Sequence, residues 1–427
     1  MVFFIESHLN LNTSMKNLLL ILVSSLFSIQ SFAGSCPDGS EPIKSISADG
    51  TYFVFNCGAI KKNFEVDKNS SHALQFRDVH VDVDTLRQNN GLNKGYPAAI
   101  AYIDIDGDGD TDIFMSGTNN NSEPDPEVYL NDGYNNFKLK PEFFADFVVP
   151  TSPRKSIIGD YNGDNKEDIY IAGHGFDEPP FPGEAPVLIL SNSKGYSSIA
   201  LEEFVGFQHG AASADIDADG DLDIVVSDIK SNGGVSLLLN DGLGNFTLAR
   251  NKLREFNGRG GYFTVELVDV DEDGYVDLLL SGHEMDGANS TIFWGSGLGD
   301  YSYWNNKTDL PKVPGMGSVI DIDVGDIDND GDKDIILNRT GSSDGDFYIG
   351  YYVQILKNNG ARSFIQSGSI VNKNNPGCMC PRIDEGWFYW LRLVDKNFDG
   401  SLDIVVDDAW RNLIWINSGS GSYSSLY

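Results

Sequence analysis

The sequence predicts an all-β protein, a β-propeller of four-stranded antiparallel blades. Three observations predict it. An acidic loop of pattern D-x-D-x-D-G-x-x-D, or a one- or two-residue variant of it, recurs six times. Each copy runs straight into an apolar, mostly β-branched stretch, as in Asp215-Ile-Asp-Ala-Asp-Gly-Asp-Leu-Asp-Ile-Val-Val226. Each repeat then ends in an Asn-Asp-Gly-like turn and an aromatic residue, which is hairpin chemistry. Four short strands in about 55 residues, repeated in phase, are the signature of propeller blades. The 46 glycines and 25 phenylalanines suit many turns around a packed core, and 41% hydrophobic residues leave no case for disorder.

Residues 1–33 read as an export signal. Lys16 precedes the apolar run Leu18–Val23, and Ser31-Phe-Ala33 is a small-x-small cleavage site, with Met15 the expected start. The run is too short to span a membrane, and no other segment is long or apolar enough. Ala33-Gly-Ser-Cys36 also matches a weak lipoprotein-type box, with Ala where Leu is usual, so a lipid anchor at Cys36 stays open. Residues 34–95 hold strand-like stretches at Thr51–Asn56 and Gln75–Val81. Asp82 and Asp84 lack the rest of the acidic pattern and read as a solvated strand end. Cys36, Cys57, Cys378 and Cys380 could form two disulfides in an exported protein, in any of three connectivities.

The repeats occupy residues 96–427. Their first aspartates are Asp104, Asp160, Asp215, Asp269, Asp326 and Asp395, spaced 54 to 57 residues apart and then 69. A strand of small residues leads in, as in Ala98–Ile103. The loop follows, then apolar runs beginning at Ile113, Ile169, Ile224, Leu278, Ile335 and Ile404. The last strand of each unit is expected to open on Phe137, Tyr196, Phe246, Tyr301, Phe364 or Tyr423. The longer fifth interval holds an insertion around Asn372–Gly386. No Pro- or Ser-rich linker divides the repeats, so they form one domain.

Oxygen ligands fall at loop positions 1, 3, 5 and 9. Four loops carry full aspartate sets: Asp104, Asp106, Asp108 and Asp112; Asp215, Asp217, Asp219 and Asp223; Asp269, Asp271, Asp273 and Asp277; Asp326, Asp328, Asp330 and Asp334. Two carry an asparagine at position 3: Asp160, Asn162, Asp164 and Asp168; Asp395, Asn397, Asp399 and Asp403. Crowded carboxylates repel unless a cation sits among them, and flexible oxygen cages suit Ca2+ better than Mg2+. Up to six calcium ions are therefore expected. Position 6 is glycine in five loops and Asn165 in the other, as a left-handed bend requires. An EF-hand is excluded, because its position-12 Glu is replaced by Met115, Ile171, Val226, Leu280, Leu337 and Val406.

Loop, following strand and Asn-Asp-Gly hairpin together resemble the FG-GAP/VCBS repeat family, known from the N-terminal propellers of integrin α subunits. The resemblance covers about residues 96–427. It implies a calcium-binding propeller, usually of seven blades, with ligands at the Asp and Asn positions just named. The literal Phe-Gly and Gly-Ala-Pro signatures are not evident. Six units carry the loop, so residues 36–95 are expected to supply a degenerate seventh blade. The alternative is a six-bladed ring with an N-terminal appendage.

The formal charge of −33 and pI of about 4.3 argue against nucleic acid and anionic membrane surfaces as partners. With the strands of a blade lettered A to D, the acidic A–B loops lie on one face. The variable B–C segments lie on the other: 117–127, 173–186, 228–234, 282–290 and 339–350. Loops of this kind carry function on a rigid scaffold. His174 and His283 fall there, and His209, before the third acidic loop, is expected nearby. Trp387, Trp390 and Trp410 could line the same rim, although Trp390 and Trp415 equally suit blade packing. No nucleophile elbow, P-loop, dinucleotide fingerprint or His-Glu-x-x-His motif occurs. The sequence thus reads as an exported, calcium-binding propeller that binds a protein or glycan partner for adhesion, recognition or assembly. Its destination is the periplasm, the cell surface or the medium. The rival reading is a secreted carbohydrate-active hydrolase or lyase on the same scaffold.

Overall fold

The computed structural model describes residues 43–46, 53–56, 79–93, 96–118, 126–144, 147–229, 234–249, 252–256, 258–259, 261–296, 299–341, 348–371, 386–408 and 411–426. The chain divides into two units, Met1–Glu65 and Val66–Tyr427. In the first, β1 (Ile43–Ile46) pairs antiparallel with β2 (Phe53–Asn56). The export signal, Met15, the four cysteines, most of the insertion and Trp410 lie outside the described residues.

In the second unit every repeat forms one four-stranded antiparallel sheet, its strands paired in chain order. Blade 1 is β3 (Tyr96–Ile103), β4 (Asp112–Thr118), β5 (Glu127–Asn131) and β6 (Phe137–Leu139). Blade 2 is β7 (Pro153–Gly159), β8 (Asp168–Gly173), β9 (Val187–Asn192) and β10 (Gly195–Ala200). Blade 3 is β11 (Gln208–Ala214), β12 (Asp223–Asp228), β13 (Gly234–Asn240) and β14 (Phe246–Leu248). Blade 4 is β15 (Tyr262–Val268), β16 (Asp277–Gly282), β17 (Thr291–Phe293) and β18 (Lys307–Asp309). Blade 5 is β19 (Ser318–Gly325), β20 (Asp334–Thr340), β21 (Tyr352–Asn358) and β22 (Phe364–Val371). Blade 6 is β23 (Leu391–Val394), β24 (Asp403–Val406), β25 (Ile414–Asn417) and β26 (Tyr423–Ser425).

Six blades, not seven, stand among the described residues. Trp390 of blade 6 donates Nε1–H to the Ala98 carbonyl of blade 1 at 2.8 Å, and Tyr102 donates to Asp407 at 2.9 Å. No blade can stand between them. Residues 79–93, taken in sequence as part of a seventh blade, instead seal the outer seam. Asp82 is the N-cap of a short helix, α1 (Val83–Asn89), accepting from Thr85 N at 2.9 Å, rather than a solvated strand end. Leu86 packs with Tyr102, Met115 and Tyr129, and Arg87 pairs with Glu127 on blade 1. On the other side His80 meets Asp407 at 3.1 Å and Asn412 donates to Asp82 at 3.1 Å on blade 6. This stretch has neither the acidic loop nor the hairpin turn that builds a blade.

Apolar side chains alternate into the spaces between blades. Ala212, Ala214, Val225 and Leu237 meet Val265, Leu267, Leu278 and Leu280, all buried. Full burial of one such aliphatic side chain stabilises by about 1.5–3 kcal/mol. Among the inner strands β11 is Gln-His-Gly-Ala-Ala-Ser-Ala, with every position buried. A charged plug closes the axis. Lys155 Nζ lies 3.0 Å from Asp321 and 4.0 Å from Glu266, and 4.9 Å over the Trp390 ring, joining blades 2, 4, 5 and 6. Burial alone would push the Lys155 pKa down, but Asp321 and Glu266 outweigh it and hold it up.

Each acidic loop is tied to its blade by its ninth residue. Asp223 accepts Ile216 N–H on one oxygen at 3.3 Å and Asn240 N–H on the other at 2.9 Å. The same pair of bonds is made by Asp112, Asp168, Asp277, Asp334 and Asp403. The A–B loop is thereby pinned to the end of strand C. The asparagine of the hairpin turn adds a tie. Asn240 donates to Leu222 O at 3.1 Å and to Tyr161 O of the preceding blade at 2.8 Å; Asn417 repeats this with Leu402 O and Ile327 O. Tyr196, Tyr301 and Tyr423 each donate their hydroxyl to the carbonyl at loop position 8. Tyr301 does not open its last strand as expected: that strand begins at Lys307, and Tyr301 lies in the loop before it.

Replacing Asp223 by Ala leaves two N–H groups without acceptors, at about 1–3 kcal/mol each. Chemical denaturation should show a loss of about 2–6 kcal/mol for Asp223→Ala and about half that for Asp223→Asn.

Candidate functional site

The acidic loops fold as their sequence requires. Position 6 is left-handed in every one, from Asn165 at φ 65° to Gly220 at φ 100°. Position 4 is left-handed as well, at Gly107, Gly163, Ala218, Glu272, Asn329 and Phe398, which the sequence did not signal. Four of these are not glycine, and each pays a steric penalty of about 1–2 kcal/mol. The paired bends turn backbone N–H groups onto the first aspartate. Asp215 accepts Asp219 N–H at 3.1 Å and Gly220 N–H at 3.1 Å, and Asp269, Asp326 and Asp395 do the same.

The remaining oxygens converge. Asp104, Asp106 and Asp108, then Asp215, Asp217 and Asp219, then Asp269, Asp271 and Asp273 each bring three carboxylates within 4.8 Å of one another. In the fifth loop Asp326, Asp328 and Asp334 do so. One oxygen of Asp217, of Asp271 and of Asp328 is buried without any hydrogen-bond partner. All three are position 3. An orphaned, buried carboxylate oxygen inside a carboxylate cluster fits a cation and is costly without one. The two asparagine loops differ. Asn162 donates to Ser191 O at 3.0 Å, and Asn397 donates to Asp399 at 2.9 Å. Their amides satisfy the loop internally. Two side chains from blade 5 also reach these loops: Arg362 pairs with Asp271 and Asp273, and Lys357 with Asp328. They neutralise part of the charge in loops 4 and 5.

Burial raises the ninth-position carboxyls. Asp112 and Asp168 are pushed up to about 6, and Asp223, Asp277 and Asp334 to about 7. A raised carboxyl favours folding while protonated, so stability falls as pH rises through 6–7. A cation among the loop carboxylates would reverse that loss.

The opposite face gathers a second set. Strand A begins with a bulge in five blades, at Pro97/Ala99, Pro153/Ser156, Gln208/Gly210, Tyr262/Thr264 and Val319/Asp321. Bulges re-aim side chains. Here they bring Arg154, His209 and Phe263 together at the axis. His174 stacks on Phe207 at 4.4 Å and lies 5.0 Å from His209, which packs on Phe263 at 4.2 Å; His283 lies 5.5 Å beyond Phe263. The three histidines singled out from sequence thus share one cluster. Arg154, which sequence reasoning missed, organises it. It donates to His174 Nε2, and to the Tyr389 hydroxyl at 3.3 Å. His174 Nδ1 donates to Gly175 O at 2.5 Å, which assigns its tautomer. Both ring nitrogens are committed, so His174 is no metal ligand or proton shuttle. Burial, then the Arg154 charge, holds its pKa down at about 3. Trp387 is half-buried beside Tyr348 and Tyr389, whereas Trp390 and Trp415 are packing residues.

Fold and loops together define a propeller with six blades among the described residues and repeated acidic cation-type loops. The FG-GAP-like repeat matches residues 104–171, 215–280 and 269–337. The chain therefore carries FG-GAP-like repeats within residues 104–337. No curated protein matches it. Among solved structures, one described as a "putative 6-phosphogluconolactonase" from Bacteroides uniformis is similar at 12% identity and a TM-score of 0.46, covering 78% of this chain and 84% of that one. A likeness at that level carries no functional inference. No helix among the described residues is long and apolar enough to cross a membrane.

His174 supplies a pH test. Its folded pKa lies below the unfolded value of about 6.5. Between the two, only the unfolded chain takes up the proton, so stability falls as pH drops from about 6.5 toward 3. In excess calcium chloride, the stability advantage of wild type over His174→Gln should shrink on acidification, by at most about 1.4 kcal/mol per pH unit. Denaturant titrations at pH 7 and 4.5 read the difference.

Proposed function

We infer that this is an exported, calcium-binding β-propeller that recognises a protein or glycan partner through its variable-loop face. Adhesion, surface recognition or assembly would be its role. The observation that supports this is the division of the ring into two chemically distinct faces. One face carries the acidic loops. The other carries Arg154, the histidine cluster and the half-buried Tyr348, Trp387 and Tyr389.

Calcium would be held first by the carboxylates of Asp104, Asp106 and Asp108, of Asp215, Asp217 and Asp219, of Asp269, Asp271 and Asp273, and of Asp326, Asp328, Asp330 and Asp334. Asn162 and Asn397 would add carbonyl oxygens to weaker sites in the other two loops, with Asp160, Asp164, Asp395 and Asp399. Bound calcium supplies positive charge that cancels carboxylate repulsion. The chain's own part is to fix the loop: position 9 ties it to strand C, and the bends at positions 4 and 6 set the first aspartate. Export would deliver the protein to compartments where free calcium is high enough for weak, extracellular-type sites.

The experiment is a glycan array together with a pull-down from the surrounding medium or cell surface, using protein lacking residues 1–33. A partner should be retained in calcium and lost in the Trp387→Ala variant. Retention unaffected by Trp387→Ala and by Tyr389→Ala, or a turnover activity abolished by His283→Gln, would contradict the reading.

A further inference from the structure

We propose that the mouth around Arg154 binds the carboxylate of a uronic acid residue; this rests on the variable-loop face being the recognition face. Arg154 sits in the β7 bulge, where the strand opens at the axis. Its guanidinium is held by two uncharged groups, the His174 imidazole and the Tyr389 hydroxyl, and lies 5.5 Å from the Tyr389 ring. No described carboxylate pairs with it. The positive charge is instead oriented by a histidine that burial and Arg154 itself keep neutral. An arginine fixed by neutral acceptors keeps donors and charge for an incoming anion, and its planar fork matches a carboxylate.

The neighbouring surface says what carries that carboxylate. Tyr348 and Trp387 rings lie 4.7 Å apart, and Trp387 meets Tyr389 edge-on at 4.6 Å. All three are half-buried, and the Tyr389 ring is the one 5.5 Å from the guanidinium. Aromatic walls of this kind pack on the C–H face of a pyranose ring. A peptide C-terminus would call for a cradle of backbone N–H groups, and the donors here are side chains. The net charge of −33 repels a polyanion at long range. The site therefore fits a single uronate within a short or mostly neutral glycan.

The test uses calcium-saturated protein and two monosaccharide probes, methyl β-D-glucuronide and methyl β-D-glucoside. Saturation-transfer NMR detects weak contact, and isothermal titration gives affinity. The glucuronide should bind about tenfold tighter than the glucoside. Arg154→Gln should abolish that preference while both sugars still bind, and Arg154→Lys should restore it in part. Equal binding of both sugars, lost in Trp387→Ala, would overturn the carboxylate assignment and leave the recognition face standing. Binding of an acetylated dipeptide carboxylate in place of the glucuronide would overturn the sugar assignment. Absence of glucuronide binding would overturn the inference, and the recognition face would then stand or fall on the array and pull-down.

Discussion

The ring depends on one buried carboxylate per blade. The ninth loop residue lies at the start of strand B, with one oxygen on the loop and the other on strand C. It is fully or almost fully buried in all six blades, from Asp112 to Asp403. Such a group is expensive to ionise where it sits, and the loop adds three more oxygen-bearing side chains within a few residues. The geometry is therefore rigid and electrostatically loaded at once. It holds the A–B corner of every blade in the same shape, and that shape fixes where strands A, B and C lie. The asparagine and tyrosine ties extend it to strand C, the loop carbonyls and the neighbouring blade. A cation is the natural partner of this arrangement, and the orphaned oxygens of Asp217, Asp271 and Asp328 mark where its charge would act.

Much of this was legible in the sequence. The repeat length, the phase of the aspartates and the apolar run after each loop required blades, and position 12 separated them from EF-hands. The left-handed sixth position followed from glycine and Asn165. Position 4 could not be read, because Ala218, Glu272 and Phe398 are ordinary residues held in that bend by the surrounding hydrogen bonds. Asp168 and its equivalents looked like ligands of the same kind as positions 1, 3 and 5. Their role in pinning strand C depends on two backbone N–H groups, one of them 14 to 24 residues away, and sequence does not locate those.

The blade count failed for a related reason. Residues 75–81 have strand-like composition, but a strand needs a neighbour to pair with. The direct contact of Trp390 with Ala98 leaves none, so the segment from Val79 fills the seam as extended chain and helix. Arg154 escaped notice because nothing around it in sequence is unusual. It becomes conspicuous only when a bulge brings it beside His174 and Tyr389, residues that come from a B–C loop and from another blade. The two faces thus differ in legibility as well as chemistry: the acidic face is written in a repeat, and the opposite face is assembled from non-repeating positions.

The acidic loops call for cations to complete them. Scanning calorimetry of the protein in excess calcium, and again after exhaustive chelation at pH 7.5, measures this directly. Several sites saturated at once should raise the melting temperature by on the order of 10–20 °C, and chelation should remove that gain. Superimposable melting curves with and without calcium would contradict the account.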